Sequence, residues 1–435
     1  MYRCLLFLLA VIVAMTGSGR TEAEIRLGFA NPLTGPYALS GHRNRVAVET
    51  AVYDLNRHGG VLGEQVQLVV VDDACGLEQA LVAARKLVAA DVRVVIGHLC
   101  SHSSLLAAGI YETADVLMVS PDSTHPRLTE EGRGNVFRLK GRDDQQGQMA
   151  ADLIAGRWAG RKLAILHDGS TYGEGLAVET RARLRQHGVT ETIYDAYVPG
   201  AKEYSALIAR LQSAGIEILY IGGYGRDAGG ILRTARDRGA RLQLVGGDGL
   251  AMDGFWAAAG TAGEGTVFSA RPEVRGTAQA DEVLARFQRR GLGTRPGGIG
   301  AYAAVQVWAQ AVERAGTTAT VAVADMLRRG RFETLLGPVA FDRKGDLRDA
   351  GWQWKTWTNA DHVPLGENQV LRIGERKLAR GGREKRGARL ATAVVSASYE
   401  WVGAPFGTDG RAGAVAANER QIVAQREEIF LDRAD

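Results

Sequence analysis

Between residues 25 and 362, short runs of consecutive apolar residues alternate with longer stretches in which apolar positions recur every three or four residues. The runs at 25–30, 66–71, 92–96, 116–119, 163–166, 218–221 and 242–245 have strand length and are apolar almost throughout, which predicts strands buried on both faces. The intervening segments 46–57, 77–90, 103–111, 145–158, 177–187, 204–214 and 229–238 carry helical spacing. Strands and amphipathic helices in alternation predict an α/β protein with parallel sheets covered on both sides. No period of about 20 to 50 residues repeats, which excludes a solenoid.

Length and composition extend this picture to two domains. A chain of 435 residues exceeds what one hydrophobic core supports, and 46% apolar with 23% charged residues is the balance of a globular protein. The first 23 residues read differently. Arg3 is followed by the apolar stretch 5–15 and then by small residues around Ala23, the arrangement of a secretory signal cleaved near Ala23. The apolar part is too short for a permanent membrane span, and Cys4 stands too near the start to be a lipid attachment site. Export leaves Cys75 and Cys100 in an oxidising compartment, where one pair has one connectivity, so a Cys75–Cys100 disulfide is expected. Metal ligation competes for these thiols, but His98 and His102 do not complete a zinc spacing.

The net charge of +4 is misleading about the main body. Residues 371–390 hold eight Arg and Lys against two Glu, which leaves the rest of the chain at about −2. No aromatic residues interleave these arginines, so the segment after residue 362 reads as a solvated, disordered extension rather than a nucleic-acid surface.

Ligands of parallel sheets bind beyond the carboxyl ends of the strands, and that is where the unusual residues cluster. In "VVIGHLCSHSS" (94–104) a strand ends in Leu99, Cys100 and Ser101, just before a predicted helix whose free N–H groups can receive an anion. The next strand ends in "SPDST" (120–124), a second hydroxyl cluster at the same edge. Together the two form a candidate cradle for a carboxylate. Ser and Thr also serve as ordinary helix caps, and that reading stays open for each cluster alone.

The segments "VVVDDAC", "VVIGHLCSHSS", "IYETADVLMVSP", "AILHDGSTYGEGLA", "SALIARLQSAGIEILYIGGY" and "FDRKGDLRD" resemble the leucine-isoleucine-valine-binding proteins, the periplasmic receptors of branched-chain amino acid ABC transporters. The resemblance covers about residues 25–362 and keeps every block in order. It implies a type I periplasmic binding fold, in which two doubly wound parallel-sheet lobes joined by three hinge crossings close on an amino acid. The implied lobes are 25–141 with 272–349, and 142–271 with 350–362. The family's disulfide matches Cys75 and Cys100.

On this resemblance Ser101 holds the ligand carboxylate, with Leu99 and Cys100 on the same wall. Thr124 contacts carboxylate and ammonium, and Asp122 offers its backbone carbonyl to the ammonium. Tyr172, Tyr224 and Asp248 come from the other lobe, Asp248 pairing with the ammonium. A sealed zwitterion needs both charges matched, because burying either one alone costs several kcal/mol. Contacts divided between two lobes converge only on closure, so the ligand favours the shut state. Ser40 stands where relatives often place a ring, Asp248 where they often have Glu, and 297–300 reads "GGIG" where aromatics are common. These departures predict a wider pocket for an amino acid bulkier or more polar than leucine.

The implied partners are an amino acid and an inner-membrane ABC permease. No cofactor, metal or nucleic acid is expected, and the protein is expected to be a monomer in the periplasm. A nicotinamide enzyme would carry G-x-G-x-x-G after its first strand, where "GFANPLTGPYALSG" stands instead. "GHLCS" likewise lacks the G-x-S-x-G of a hydrolase, and no nucleophile has a base beside it. The alternative function is a ligand-sensing receptor domain that binds an amino acid or amide without transport.

Overall fold

A computed structural model of the chain describes residues 24–272, 278–290, 298–349 and 351–366. The chain divides into two compact units, Met1–Arg376 and Lys377–Asp435. The signal-peptide reading, Cys4 and the basic tail fall outside the described residues, apart from the first positions of the tail.

Five strands, β1 (Glu24–Asn31), β2 (Gln65–Asp72), β3 (Val94–Gly97), β4 (Leu117–Ser120) and β5 (Val136–Arg138), form a first sheet in the order β2-β1-β3-β4-β5. All its pairings are parallel, with Leu27 opposite Leu68 and Val94, and Val94 opposite Leu117. Alternate residues serve opposite faces. Leu27, Phe29, Val94, Ile96 and Val119 pack on α1 (Ala38–Arg57), while Ala30, Val95 and Met118 pack on α2 (Leu77–Ala89) and α3 (Ser101–Thr113). This two-sided burial is why the strands read as continuous apolar runs.

After the single turn α4 (Arg127–Glu130) and β5, the chain enters α5 (Asp143–Arg157) and a second sheet. Its strands are β6 (Leu163–His167), β7 (Ile193–Ala196), β8 (Ile218–Gly222), β9 (Gln243–Gly246) and β10 (Val267–Ala270). Interleaved with them are α6 (Thr171–Gln186), α7 (Ser205–Ser213), α8 (Gly225–Asp237) and α9 (Asp253–Ala259). The chain then returns to the first half through α10 (Ala278–Arg289), α11 (Ile299–Ala315), α12 (Thr320–Arg329) and the hairpin β11 (Arg331–Thr334)–β12 (Gly337–Ala340). α10, α11 and α12 join α1 in the core of the first sheet. Finally β13 (Gln353–Thr358) and β14 (Asp361–Pro364) extend the second sheet, whose order is β14-β13-β10-β9-β8-β6-β7.

In both sheets the strand order reverses beside the first strand, between β1 and β3 and between β6 and β8. Such a switch point opens a crevice at the carboxyl ends of the strands, where a ligand can sit.

Two expectations change. The pairs β10–β13 and β13–β14 are antiparallel, so the second sheet is mixed rather than purely parallel, and its last strand runs past residue 362 to Pro364. The first helix starts at Ala38 rather than near residue 46, in a stretch whose Gly35, Pro36 and Gly41 read as turn residues. Gly41 serves close packing there, since a Cβ on it would fall 1.8 Å from the Pro32 carbonyl oxygen.

Candidate functional site

The hydroxyls that follow β3 divide into two groups. Ser101 is the first residue of α3, not its cap; the cap position is Cys100, which makes no side-chain capping bond. The Ser101 hydroxyl accepts a long hydrogen bond from the His125 N–H at 3.4 Å. Ser104 and Ser123 share a hydrogen bond at 2.7 Å, and Ser120 and Ser123 donate to the His98 carbonyl at 3.1 and 3.2 Å. These buried serines knit the ends of β3 and β4 together. The hydroxyl row is therefore mostly structural, with Ser101 and Thr124 left at the cavity. His98 is fully buried between Asp73, 2.5 Å away, and the Tyr111 hydroxyl at 3.1 Å.

A cavity of about 270 Å³ lies between the carboxyl ends of the two sheets, just below the range for ligand clefts, about 300 to 1,000 Å³. From the first half, Ser40, Leu99, Ser101, Asp122 and Thr124 line it. From the second half come Tyr172 after β6, Tyr224 after β8 and Asp248 after β9. Gly298, Ile299 and Gly300 of the glycine-rich segment line it too. Cys100 is the exception among the expected wall residues. It is fully buried in the disulfide with Cys75, with Cα atoms 5.7 Å apart, and does not reach the cavity.

Leu99 and Cys100 belong to the apolar cluster that also holds Tyr172, Tyr224 and Ile165 of the second half. The rings of Tyr37 and Tyr224 meet across the two halves with centroids 4.5 Å apart, and Tyr172 lies 5.1 Å from Tyr224. Sequence reasoning missed Tyr37, although it stands in the same short segment as Ser40.

Asp248 has the densest set of partners. Its Oδ1 accepts from Gln146 Nε2 at 3.0 Å and from the Tyr172 hydroxyl at 2.9 Å. The Gly249 N–H in turn donates to the Tyr172 oxygen at 2.9 Å, and Gln146 Oε1 accepts from the Asp248 N–H at 3.0 Å. Its Oδ2 stands 2.5 Å from Lys140 Nζ. Burial pushes the Asp248 carboxyl up, but Lys140 and the hydrogen bonds from Lys140, Gln146 and Tyr172 hold it below its ordinary value. Burial also opposes the Lys140 ammonium, which Asp248 and Asp122 keep above its usual value.

Asp248 was expected to wait for a ligand ammonium, and it meets one from its own chain. Lys140 follows β5, one more residue beyond a strand end, and that position was the signal that could have singled it out. Two further cationic side chains at the cavity were also missed, Arg43 on α1 and Arg271 after β10. Asp122 presents its carboxylate, not only its carbonyl, and accepts from Asn44 Nδ2 at 2.5 Å. Asp143, at the start of α5, is fully buried; burial and then Asp248 push its carboxyl well above its ordinary value.

Among the described residues no group of three or more His, Cys, Asp and Glu is placed to hold a metal ion. No helix among them is long and apolar enough to cross a membrane.

Two doubly wound sheets facing each other across one cavity are the type I periplasmic binding fold. Residues 24–351 match the family model for "Periplasmic binding protein". The chain is 39% identical over 339 residues to a Leu/Ile/Val-binding protein homolog of Brucella abortus, covering 78% of this chain and 91% of that protein. It is 34% identical over 355 residues to a leucine-, isoleucine-, valine-, threonine- and alanine-binding protein of Pseudomonas aeruginosa, covering 81% and 95%. An ABC transporter substrate-binding protein of Desulfitobacterium hafniense in complex with leucine superposes with a TM-score of 0.63 at 28% identity, over 79% of this chain and all of that one. The chain belongs to the Leu/Ile/Val-binding family of periplasmic binding proteins.

Proposed function

We propose that this protein is the solute-binding component of an ABC transporter, exported to the periplasm, and that it holds an amino acid between two lobes. The lobes comprise 25–141 with 272–349, and 142–271 with the final strands, which puts hinges at three chain crossings. The observation that carries this reading is the division of one cavity's polar groups. Ser101 and Thr124 face it from one sheet, and Tyr172 and Asp248 from the other.

A ligand carboxylate received by the Ser101 and Thr124 hydroxyls and by the start of α3 would be satisfied by neutral dipoles. Since the opposite wall belongs to the other lobe, the complete set of contacts exists only when the lobes are shut. The ligand thus stabilises the closed form by its differential contacts, and an inner-membrane permease can recognise that form. The proposed working unit is a monomer that binds and does not catalyse.

Calorimetric titration with the twenty common amino acids tests the reading. Binding by at least one of them, lost in Ser101→Ala while the protein stays folded, is the expected result. Binding that survives Ser101→Ala unchanged would move the site elsewhere.

A further inference from the structure

We infer that the ligand is an amino acid with an acidic side chain, whose second carboxylate seats against Arg271 and Lys140. This rests on the amino-acid reading above and names the substrate class of the same site.

An aliphatic zwitterion needs a free carboxylate for its ammonium and an uncharged wall for its side chain. The cavity offers the Asp122 carboxylate for the ammonium but cations, Lys140 and Arg271, where an aliphatic side chain would need an uncharged wall. The Asp248 carboxylate is engaged on both oxygens, by Lys140 on one and by Gln146 and Tyr172 on the other. A second ammonium brought there would face the Lys140 charge at close range and be repelled.

Arg271 adds a cation to the same wall. Its guanidinium donates to the carbonyl of Leu139, the residue before Lys140. Among the described residues that is the one hydrogen bond it makes, and no carboxylate there stands within ion-pair distance. A guanidinium has five N–H donors in a planar fork suited to a carboxylate. One of its nitrogens stands near Gly300 and the Pro121 carbonyl, all on the cavity wall, since a Cβ built on Gly300 would lie 3.2 Å from Arg271 Nη1 and 3.3 Å from the Pro121 oxygen. The absence of a side chain at Gly300 is what leaves that edge open. Arg271 is half-buried, so its remaining donors are satisfied best by a ligand oxygen.

The charges then match as a set. The α-carboxylate goes to Ser101 and Thr124, and the α-ammonium to the Asp122 carboxylate, which Asn44 orients. The side-chain carboxylate takes Arg271 and the outer face of Lys140. Lys140 is thereby both the counter-ion of Asp248 and the group that selects against leucine. Lys140 and Arg271 are specificity-determining residues in this account.

The test is calorimetric titration of the whole protein with L-glutamate, L-aspartate, glutarate and L-leucine. Glutamate or aspartate should bind at least about tenfold more tightly than leucine. Arg271→Met should lower that affinity by about tenfold or more with little change for leucine. Lys140→Met frees the Asp248 carboxylate for an ammonium and should raise leucine affinity while lowering that of the acidic amino acid; its melting curve checks that the fold persists. Glutarate binding as tightly as glutamate supports the carboxylate seat and removes the amino group from the reading. Leucine binding as well as glutamate in the unmodified protein overturns the acidic class and leaves the amino-acid site standing. Binding by none of the twenty common amino acids nor by glutarate overturns both.

Discussion

Arg138 on β5 and Asp346, 208 positions later, form an ion pair with Arg138 Nε 2.5 Å from Asp346 Oδ1, both side chains almost fully buried. The other Asp346 oxygen accepts from Arg142 Nη1 at 2.9 Å, at the start of α5. Thr129 donates to the same carboxylate at 2.9 Å. The segment that leaves the first sheet is thus tied to the one that returns to the second, close to two of the three places where the chain crosses.

Asp346→Ala should therefore destabilise the protein strongly. It leaves the Arg138 guanidinium buried without its anion, a change that costs about 3–5 kcal/mol in comparable sites. Chemical denaturation measures it. A loss below about 1 kcal/mol would mean that water reaches Arg138 and takes over the pairing.

Asp248→Ala should lower the melting temperature and weaken any ligand-induced rise in it, because Lys140 loses the carboxylate that holds it in place. The Lys140 ammonium, the Tyr172 hydroxyl and the Gln146 amide all lose a partner, but Lys140 is partly exposed, so the loss should be only about 1–3 kcal/mol. A folded variant whose ligand-induced shift is intact would show that Asp248 does not position Lys140 for the ligand.

Asp143 sets a pH dependence. Its folded-state carboxyl is held well above 3.8, so between that value and its raised one the folded state binds more protons than the unfolded chain. Its contribution to stability is full below pH 3.8 and is lost as pH rises through the raised value. Asp143→Asn cannot ionise, so its melting temperature should gain on the unmodified protein as pH goes from 4 to about 7.5. A difference constant across that range would show that Asp143 titrates normally.

The Cys75–Cys100 bridge closes a loop across 25 positions, for which chain entropy predicts about 3–4 kcal/mol of stabilisation. Cys100 also fixes the turn between Leu99 and Ser101 at the cavity. The double variant Cys75→Ser with Cys100→Ser should melt lower and bind ligand more weakly. If affinity per folded molecule is unchanged, the bridge supports the fold without positioning the wall.

Much of this was legible along the chain. Strands β1, β2, β3, β4, β6, β8 and β9 were each foreseen to within a few residues, because strands buried on both faces must be apolar at nearly every position. The edge strand β7, half exposed, and the short β5 and β10 lack such runs and were not seen. Leu99, Ser101, Asp122 and Thr124 stood out because they follow strands, and in parallel sheets strand ends converge on one edge; Tyr172, Tyr224 and Asp248 came from the family resemblance, though each also follows a strand. Ser40, named as a departure from the family pattern, lies in the first turn of α1.

What sequence by itself determined, then, is local: the period of burial, the elements it produces, the family those elements belong to and the edge at which the ligand must sit. Tertiary structure decided which charges neighbour each other at that edge. Lys140 beside Asp248, Arg271 on the Leu139 carbonyl and Asp346 between two arginines join segments far apart in the chain. Apolar periodicity records only whether a position is covered, whereas an ion pair depends on the distance between two charges, and that distance exists only once the strands are laid side by side.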